Sequence, residues 1–145
     1  MNKKKALVIF GPTASGKSSK AIQVAKKFNS TIINADSIQV YQELRLITSR
    51  PSIDDEKNFD HKLYGFLKGN QNCTVSMWLE LIKKEIKASF DNNKLPIIVG
   101  GTGMYLKSLI DGISMIPNIP ISLKEETKKK VKEKGLKYIY EILLN

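Results

Sequence analysis

The sequence predicts an α/β fold in which a mostly parallel sheet is covered by helices on both faces. Three short apolar runs typical of buried strands, residues 6–10, 31–35 and 95–99, alternate with segments whose apolar residues recur at helical spacing. Helices between strands imply crossover connections, which produce parallel strands. Ligands of such sheets bind beyond the carboxyl ends of the strands. The loops that follow the three runs are therefore predicted to form one shared site.

The loop after the first run carries the most informative motif of the chain. It reads Gly11-Pro12-Thr13-Ala14-Ser15-Gly16-Lys17-Ser18. This segment fits G-x-x-x-x-G-K-[ST], the phosphate-binding loop, and the required context is a preceding strand and a following helix. A strand over 6–10 and a helix over 19–28 supply that context. We expect all eight residues of the loop to bind a diphosphate or a nucleotide.

The residues of this loop have separate expected tasks. Gly11 and Gly16 allow backbone conformations that a Cβ would block. Inward-pointing N–H groups and the N-terminus of the following helix favour a phosphate. Lys17 brings a mobile cation to the terminal phosphate, and Ser18 offers its hydroxyl to Mg²⁺. The motif alone does not say which phosphorylated molecule is held.

The second and third runs also end at residues suited to a site. Asp36 follows the strand at 31–35, where it can be either a helix N-cap or a functional carboxylate. The turn Gly100-Gly101-Thr102-Gly103 follows the strand at 95–99, and a helix over 104–111 is ended by Gly112. Three loops at one edge of the sheet are the main structural argument for a single site.

Between these segments the pattern predicts a loop at 49–52, an acidic stretch at 54–56 and a short strand around 63–66. A helix capped by Thr74 or Ser76 is predicted to run to about Phe90. Its apolar residues recur on one face, so we expect it to pack on the sheet. The aromatic residues Tyr41, Trp78 and Tyr105 can either stack on a base or fill the core.

The chain changes character after about residue 115. Pro117 and Pro120 flank an irregular stretch, and a capping box over 122–125 predicts a Lys-rich helix to about Lys134. Gly135 separates this helix from the residues that follow it. We therefore divide the chain into a phosphate-binding core over 1–115 and a basic helical segment over 116–145. The segment is either an arm for nucleic acid or a solvated helical face.

Composition limits the class of protein. The chain has 145 residues and a net charge of +10, from 24 basic and 14 acidic residues, which favours polyanionic partners. A lysine-rich composition explains the same charge without any partner. No apolar run approaches membrane-spanning length, and none near the N-terminus resembles a secretory signal. We expect a cytoplasmic protein with no membrane partner.

Three segments together resemble the signatures of the tRNA dimethylallyltransferases. They are the loop at 11–18, Asn34-Ala35-Asp36-Ser37-Ile38-Gln39-Val40-Tyr41 and Val99-Gly100-Gly101-Thr102-Gly103-Met104-Tyr105-Leu106. Weaker echoes lie at 47–51 and 61–64, and the resemblance covers about the first 115 residues. The second and third signatures are the specific ones, because many nucleoside-triphosphate-binding proteins share the first.

The resemblance implies a P-loop NTPase-like fold and a definite reaction. Family members transfer a dimethylallyl group from dimethylallyl diphosphate to N6 of an adenine in the anticodon arm of tRNA. By resemblance, the catalytic residues are Asp36, as the base, and Lys17, at the diphosphate. Ser18 would be the Mg²⁺ ligand. The residues expected to contact the tRNA are Asp36, Ser37, Ile38, Gln39 and Thr102.

The chain departs from the family pattern in several places. Ser18 stands where the family usually has Thr, and Asp60 replaces the first His of a His-His-Leu segment. Family members are longer, and an arginine of their later part helps to hold the diphosphate. Neither Arg45 nor Arg50 lies in a matching context. The resemblance therefore carries the expectation that the sheet is incomplete at its C-terminal end and that this chain alone is weakly active or inactive.

Two other functions fit the sequence. The phosphate-binding loop and the length suit a small kinase for a nucleotide or metabolite. Such an enzyme needs several arginines over the phosphates, and this chain has two. The alternative from another class is a remnant without catalysis that binds nucleic acid or a phosphate compound.

Overall fold

A computed structural model describes residues 4–114 and 119–144. The chain divides into two compact units, Met1–Ile113 and Ser114–Asn145. The predicted boundary between 115 and 116, together with Pro117, lies outside the described residues. In the first unit the strands are β1 (Leu7–Phe10), β2 (Ser30–Asn34), β3 (Asp60–Lys62) and β4 (Leu95–Gly100). Its helices are α1 (Lys17–Ala25), α2 (Ile53–Asn58), α3 (Val75–Asp91) and α4 (Gly103–Asp111).

The four strands form one parallel sheet in the order β1-β4-β2-β3. Adjacent residues of a strand point to opposite faces, so Ile32 and Ile33 belong to different cores. Ile32 packs on the α1 side with Ala21, whereas Ile33 packs on the α3 and α4 side with Trp78. The predicted α/β fold with helices on both faces is therefore confirmed.

Strand β1 forms one edge of the sheet, and only one of its faces is covered. Leu7 and Ile9 pack in the α1 core. Val8 and Phe10 alternate with them and are 42% and 58% exposed. Since β1 pairs with β4 alone within the described residues, its other side offers unpaired backbone groups as well as apolar side chains.

The helix boundaries follow from local chemistry. The hydroxyl of Thr74 accepts a hydrogen bond from the Met77 N–H at 3.2 Å, so Thr74 caps α3. Gly112 ends α4 with a φ of 82°, in the left-handed region that glycine tolerates. Both boundaries lie where the sequence predicts them.

Two predicted elements are wrong in position. Helix α1 ends at Ala25 rather than Phe28, because the chain turns to begin β2 at Ser30, and Phe28 is 57% exposed. The strand predicted around 63–66 is β3 at Asp60–Lys62. Leu63 has a φ of 62° and cannot extend it, while Asp60 is fixed by Thr31 and Lys94.

Helix α2 was not predicted. It has six residues and no apolar periodicity, so the sequence showed only an acidic stretch. Ser52 and Asp55 form a capping box in which the Ser52 hydroxyl accepts from the Asp55 N–H at 3.0 Å. The carboxylates in its first turn favour the helix N-terminus.

The second unit is one long element, α5 (Ile121–Leu144). Gly135 interrupts it with a φ of 79° and a ψ of 166°, which confirms the predicted break. The predicted capping box is wrong, because the helix begins at Ile121 and Ser122 therefore lies within its first turn. None of its described residues is buried.

Candidate functional site

Most of the predicted site residues line one cleft at the carboxyl ends of the strands, and Gly11, Pro12, Ser37 and Thr102 do not. The cleft has a volume of about 530 Å³. One wall is the phosphate-binding loop and the start of α1, from Thr13 to Ser19. The floor is the end of β4, Val99 and Gly100. The other residues that line it are Asp36, Ile38, Gln39, Ile47, Thr48 and Ser49.

Two residues of the phosphate-binding loop have a left-handed backbone conformation, and the motif glycines account for one of them. Gly16 has a φ of 80° and forms the N-cap of α1. The second left-handed residue is Ala14, with a φ of 61°. The expectation for Gly11 is wrong: its φ lies outside this region, and a Cβ there would lie 3.1 Å from the Ser15 hydroxyl and 3.9 Å from the Lys17 Cδ.

The charged and hydroxyl groups of this loop are available to an anion. The Nζ of Lys17 donates a hydrogen bond to the Pro12 carbonyl at 2.5 Å and is otherwise exposed. The first turn of α1 contains no acidic residue, so nothing there opposes a bound phosphate. Ser18 lines the cleft, and its hydroxyl makes no hydrogen bond among residues 4–114 and 119–144.

Asp36 is held by a buried asparagine that the sequence analysis did not select. The Oδ1 of Asn34 accepts from the Asp36 N–H, and its Nδ2 donates to the Asp36 carbonyl, both at 2.9 Å. The same Nδ2 donates to the Leu63 carbonyl at 3.0 Å. Asn34 is fully buried, and only its position at the end of a strand could have drawn attention to it.

One of the two carboxylate oxygens of Asp36 accepts a hydrogen bond. Its Oδ1 accepts a hydrogen bond from the Ile38 N–H at 2.9 Å, which closes a local turn. No helix begins here, and the next one is α2, so the helix-cap alternative is wrong. Oδ2 has no hydrogen-bond partner in the described part of the chain. One carboxylate oxygen is therefore free to accept a proton inside the cleft.

Thr102 joins the loop after β2 to the loop after β4. Its Oγ1 accepts from the Ser37 N–H at 2.9 Å and lies 3.3 Å from the Ser37 Oγ. The Thr102 N–H donates to the Ala35 carbonyl at 3.3 Å. Thr102 does not line the cleft, so its present contacts are with protein. Contact with tRNA remains a prediction for Ser37 and Thr102.

Gln39 and Ile38, from the loop after β2, also line the cleft. The Nε2 of Gln39 donates to the Thr48 carbonyl at 2.8 Å and lies 3.4 Å from the Ser49 carbonyl. The Oε1 atom of this amide therefore has no hydrogen-bond partner among residues 4–114 and 119–144. Ile38 and Ile47 are 53% and 84% exposed, so this part of the cleft also presents apolar surface.

Both arginines lie outside the cleft and pair with one carboxylate. The Nη2 of Arg45 and the Nη2 of Arg50 lie 2.7 Å and 3.2 Å from the two oxygens of Glu56. Burial alone would raise the pKa of Glu56, but the hydrogen bonds and charges of the two guanidiniums hold it below its ordinary value. The arginine lid that a kinase would need is thus absent from the cleft walls in the described residues.

Two of the three aromatic candidates lie in the core, and the third is half-buried. Trp78 and Tyr105 are buried and stack with ring centroids 4.2 Å apart, so core packing is confirmed for both. Burial raises the pKa of the Tyr105 hydroxyl, as does its hydrogen bond to Cys73. Tyr41 is half-buried and forms an isolated β-bridge with Leu67.

No helix of the described ranges is long and apolar enough to cross a membrane.

Comparison with known protein families decides the relationship. The model of the IPP transferase family matches residues 39–145.

The chain belongs to the IPP transferase family.

Relatives in this family agree over most of the chain. A tRNA dimethylallyltransferase of Pelagibacter ubique is 46% identical over 140 residues, which is 97% of this chain and 45% of the relative. A tRNA dimethylallyltransferase of Ehrlichia canis is 43% identical over 139 residues, or 96% of this chain and 46% of the relative. The chain therefore spans about half the length of the curated relatives it matches.

Solved structures of the family show the same fold. The full-length tRNA isopentenylpyrophosphate transferase of Bacillus halodurans superposes with a TM-score of 0.75 at 26% identity, over 97% of this chain and 47% of that one. A eukaryotic dimethylallyltransferase acting on tRNA gives a TM-score of 0.75 at 29% identity, over 83% and 31% of the two chains. The P-loop NTPase-like fold that the resemblance implied is confirmed.

Proposed function

We propose that this chain carries the donor site and the catalytic base of a tRNA dimethylallyltransferase. The observation that carries the proposal is the shared cleft, which Lys17 and Ser18 of the phosphate-binding loop line together with Asp36 and Gln39 of the loop after β2. A phosphate site next to a carboxylate that has one oxygen without a hydrogen bond suits the transfer of an alkyl group from a diphosphate to an amine. The names of the relatives support the same reaction.

On the donor side, the reaction breaks the allylic C–O bond of dimethylallyl diphosphate, and the diphosphate leaves with the bonding electrons. Stabilising that developing negative charge is the largest contribution that a protein can make here. The N-terminus of α1 and the Nζ of Lys17 supply positive potential on this wall. The eight residues from Gly11 to Ser18 are therefore proposed as the diphosphate site.

On the acceptor side, N6 of an adenine forms the new C–N bond and loses a proton. The free Oδ2 of Asp36 is the proposed acceptor of that proton, while Oδ1 stays bonded to the Ile38 N–H and fixes the carboxylate. Ser37, Ile38, Gln39 and Thr102 are proposed to contact the tRNA. The adenine has to leave its stack to reach the cleft. Because the proposed substrate is tRNA, the proposed location of the protein is the cytoplasm.

Mg²⁺ is the proposed metal. The described residues contain no cluster of three or more His, Cys, Asp or Glu side chains, so they form no all-protein cage. Among the oxygen donors that line the cleft, the Ser18 hydroxyl lies in the phosphate-binding loop, and it fits a Mg²⁺ ion that takes most of its ligands from phosphate and water. We assign Ser18 as the protein ligand. When bound, the ion would neutralise charge on the leaving diphosphate.

The test is a single-turnover assay in which the chain, extended by the C-terminal segment of a family relative, is in excess over an anticodon stem–loop RNA. The RNA carries an adenine beside the anticodon, and the donor is labelled dimethylallyl diphosphate. We expect label on N6 of that adenine, identified by mass spectrometry of the nucleosides. A parallel reaction with ATP and candidate metabolites should yield no phosphorylated product. Absence of prenylated adenine, or ATP-dependent phosphorylation of a small molecule, would refute the proposal.

A further inference from the structure

The pair of arginines on Glu56 forms a charged cluster that the reaction does not use. Arg45 also donates through Nη1 to the Pro51 carbonyl at 2.6 Å. The side chain of Arg50 is only 6% exposed, whereas those of Arg45 and Glu56 are 31% and 25% exposed. Burying the Arg50 guanidinium costs free energy, and a single ion pair rarely repays that cost. A role other than stability is therefore the better explanation for it.

The guanidinium of Arg50 connects three separate segments of the chain. Its Nη1 donates to the Tyr41 carbonyl at 3.3 Å and its Nη2 to Glu56 of α2. The third segment is the turn at Gly65, which has a φ of 53° and approaches so closely that a Cβ would collide with the guanidinium. The Gly65 N–H donates in turn to the Gln39 carbonyl at 2.9 Å.

Arg50 is connected to the cleft through the two residues that precede it in the chain. Thr48 and Ser49 immediately precede Arg50, and their carbonyls hold the Gln39 amide. Gln39, Thr48 and Ser49 line the cleft, but Arg50 does not. The Nε of Arg50 is buried and has no partner among the described residues. The cluster is therefore not a fully satisfied network. Its contacts with the Tyr41 carbonyl and the Gly65 turn fix the backbone at and after Gln39.

We propose that Arg50, held by Glu56, is a positioning residue for the acceptor side of the cleft. It fixes the carbonyls of Thr48 and Ser49 through the backbone, and these orient the Gln39 amide so that Oε1 faces the acceptor nucleotide. Arg50 thereby sets the affinity for the acceptor without contacting it. This inference rests on the proposed function, because it takes Gln39 to lie on the acceptor side. The planar fork of arginine suits the task, since it reaches two acceptors at once.

The test compares Arg50→Met with the double variant Arg50→Met/Glu56→Met. Lys94→Met is the control, because it also removes one basic partner of a carboxylate, Asp60 at 2.8 Å, and Lys94 does not line the cleft. Three quantities are measured: the Kd for an anticodon stem–loop RNA, the Kd for inorganic diphosphate with Mg²⁺, and the NMR signals of the Gln39 side-chain amide. Urea denaturation gives the stability of each variant.

Arg50→Met should raise the Kd for the RNA by roughly 10- to 100-fold, the usual effect of a small displacement in a binding site. It should shift the Gln39 amide signals and leave the Kd for diphosphate unchanged. The double variant should lose further stability, because Arg45 then has no Glu56 to pair with, yet keep the RNA affinity of Arg50→Met. Lys94→Met should change neither the RNA affinity nor the Gln39 signals.

Two results would overturn the inference. One is an RNA affinity that falls further together with stability in the double variant, which would show a purely structural role. The other is a set of unchanged Gln39 signals in Arg50→Met. A wild-type chain that binds RNA but transfers no prenyl group would refute the proposed function and leave the affinity comparison valid. If the wild type binds no RNA, the Gln39 signals alone decide, since shifted signals support positioning and unchanged ones refute it.

Discussion

The indole Nε1 of Trp78 donates a hydrogen bond to the backbone carbonyl of Asn34 at 3.0 Å. Both residues are fully buried. Trp78 lies on α3, and Asn34 is the last residue of β2 and the one whose side chain holds Asp36. A core tryptophan therefore fixes the strand end from which the proposed base projects.

Replacing Trp78 tests this connection. Trp78→Phe leaves the Asn34 carbonyl buried and unpaired, which should cost about 1–3 kcal/mol of unfolding free energy, apart from the cost of the lost volume. Tyr105→Phe is the matched control, because it keeps the ring stack and removes only a weak 3.4 Å contact from the hydroxyl to the Cys73 sulfur. Urea denaturation measures both. Equal losses in the two variants would mean that the indole hydrogen bond contributes little.

Gly100 should be intolerant of any side chain. A Cβ at this position would collide with the backbone carbonyl of Ala35, the residue before Asp36. Gly100→Ala should therefore destabilise the chain by about 1–3 kcal/mol through overpacking and displace the loop that carries the carboxylate. Gly103→Ala is the control, since a Cβ there meets nothing within 4 Å and stands at the start of α4. Thermal unfolding of both variants distinguishes the two, and an unaffected Gly100→Ala would contradict the packing described here.

Lys17→Ala should weaken the binding of inorganic diphosphate. Loss of a charged hydrogen-bond donor costs about 1.5–3 kcal/mol, or roughly 10- to 100-fold in Kd. Lys20→Ala provides the comparison, because Lys20 lies on the same helix but outside the cleft. Isothermal calorimetry with Mg²⁺ present measures both constants. If the two substitutions weaken binding equally, general positive charge rather than the loop accounts for it.

Asp36→Asn keeps an oxygen for the Ile38 N–H but removes the base. Prenyl transfer in the single-turnover assay should fall by roughly 10²- to 10⁴-fold, the usual contribution of a positioned general base. The Kd for diphosphate should not change, because the carboxylate faces the acceptor. Asp54→Asn, at an 87% exposed side chain of α2, should transfer at the wild-type rate. Near-full transfer by Asp36→Asn would assign the carboxylate to the turn alone.

Acid should weaken the contact between α2 and the arginines. The pKa of Glu56 is depressed in the folded state, so its contribution to stability is complete above the ordinary value of 4.5 and is lost as the pH falls through the lower folded value. Glu56→Gln should therefore be less stable than wild type at neutral pH, and the difference should shrink with acidification. Urea denaturation across this range measures it. A difference that stays constant with pH would show that charge on Glu56 is not responsible.

The sequence predicted those features that depend on local pattern. Apolar runs located β1, β2 and β4, and the phosphate-binding motif and Asp36 were found because their spacing along the chain is itself the signal. The roles of Asn34 and Glu56 were not predicted. Each depends on partners that are distant in sequence or on a short helix without apolar periodicity, and burial decides what such polar side chains do.

Two errors in the loops have the same origin. Gly11 was expected to need a special backbone, but Ala14 takes the left-handed conformation instead. The motif specifies residue types and does not specify which of them carries the strain. Likewise, β3 begins at Asp60 because Thr31 of β2 and Lys94, the residue before β4, fix that residue, and no local preference for strand conformation reveals such contacts.

The strand order also determines when the sheet can form during synthesis. Leu7 of β1 pairs with Ile97 of β4, a separation of 90 residues, and β2 lies on the other side of β4. At ribosomal rates β1 waits roughly 5–20 s after its own synthesis for a partner. Contacts this distant in sequence form slowly, so β1 is the last strand to be protected. During that interval the unpaired backbone edge of β1 is the place where a nascent chain would pair with another, and faster synthesis of the residues between β1 and β4 shortens the exposure.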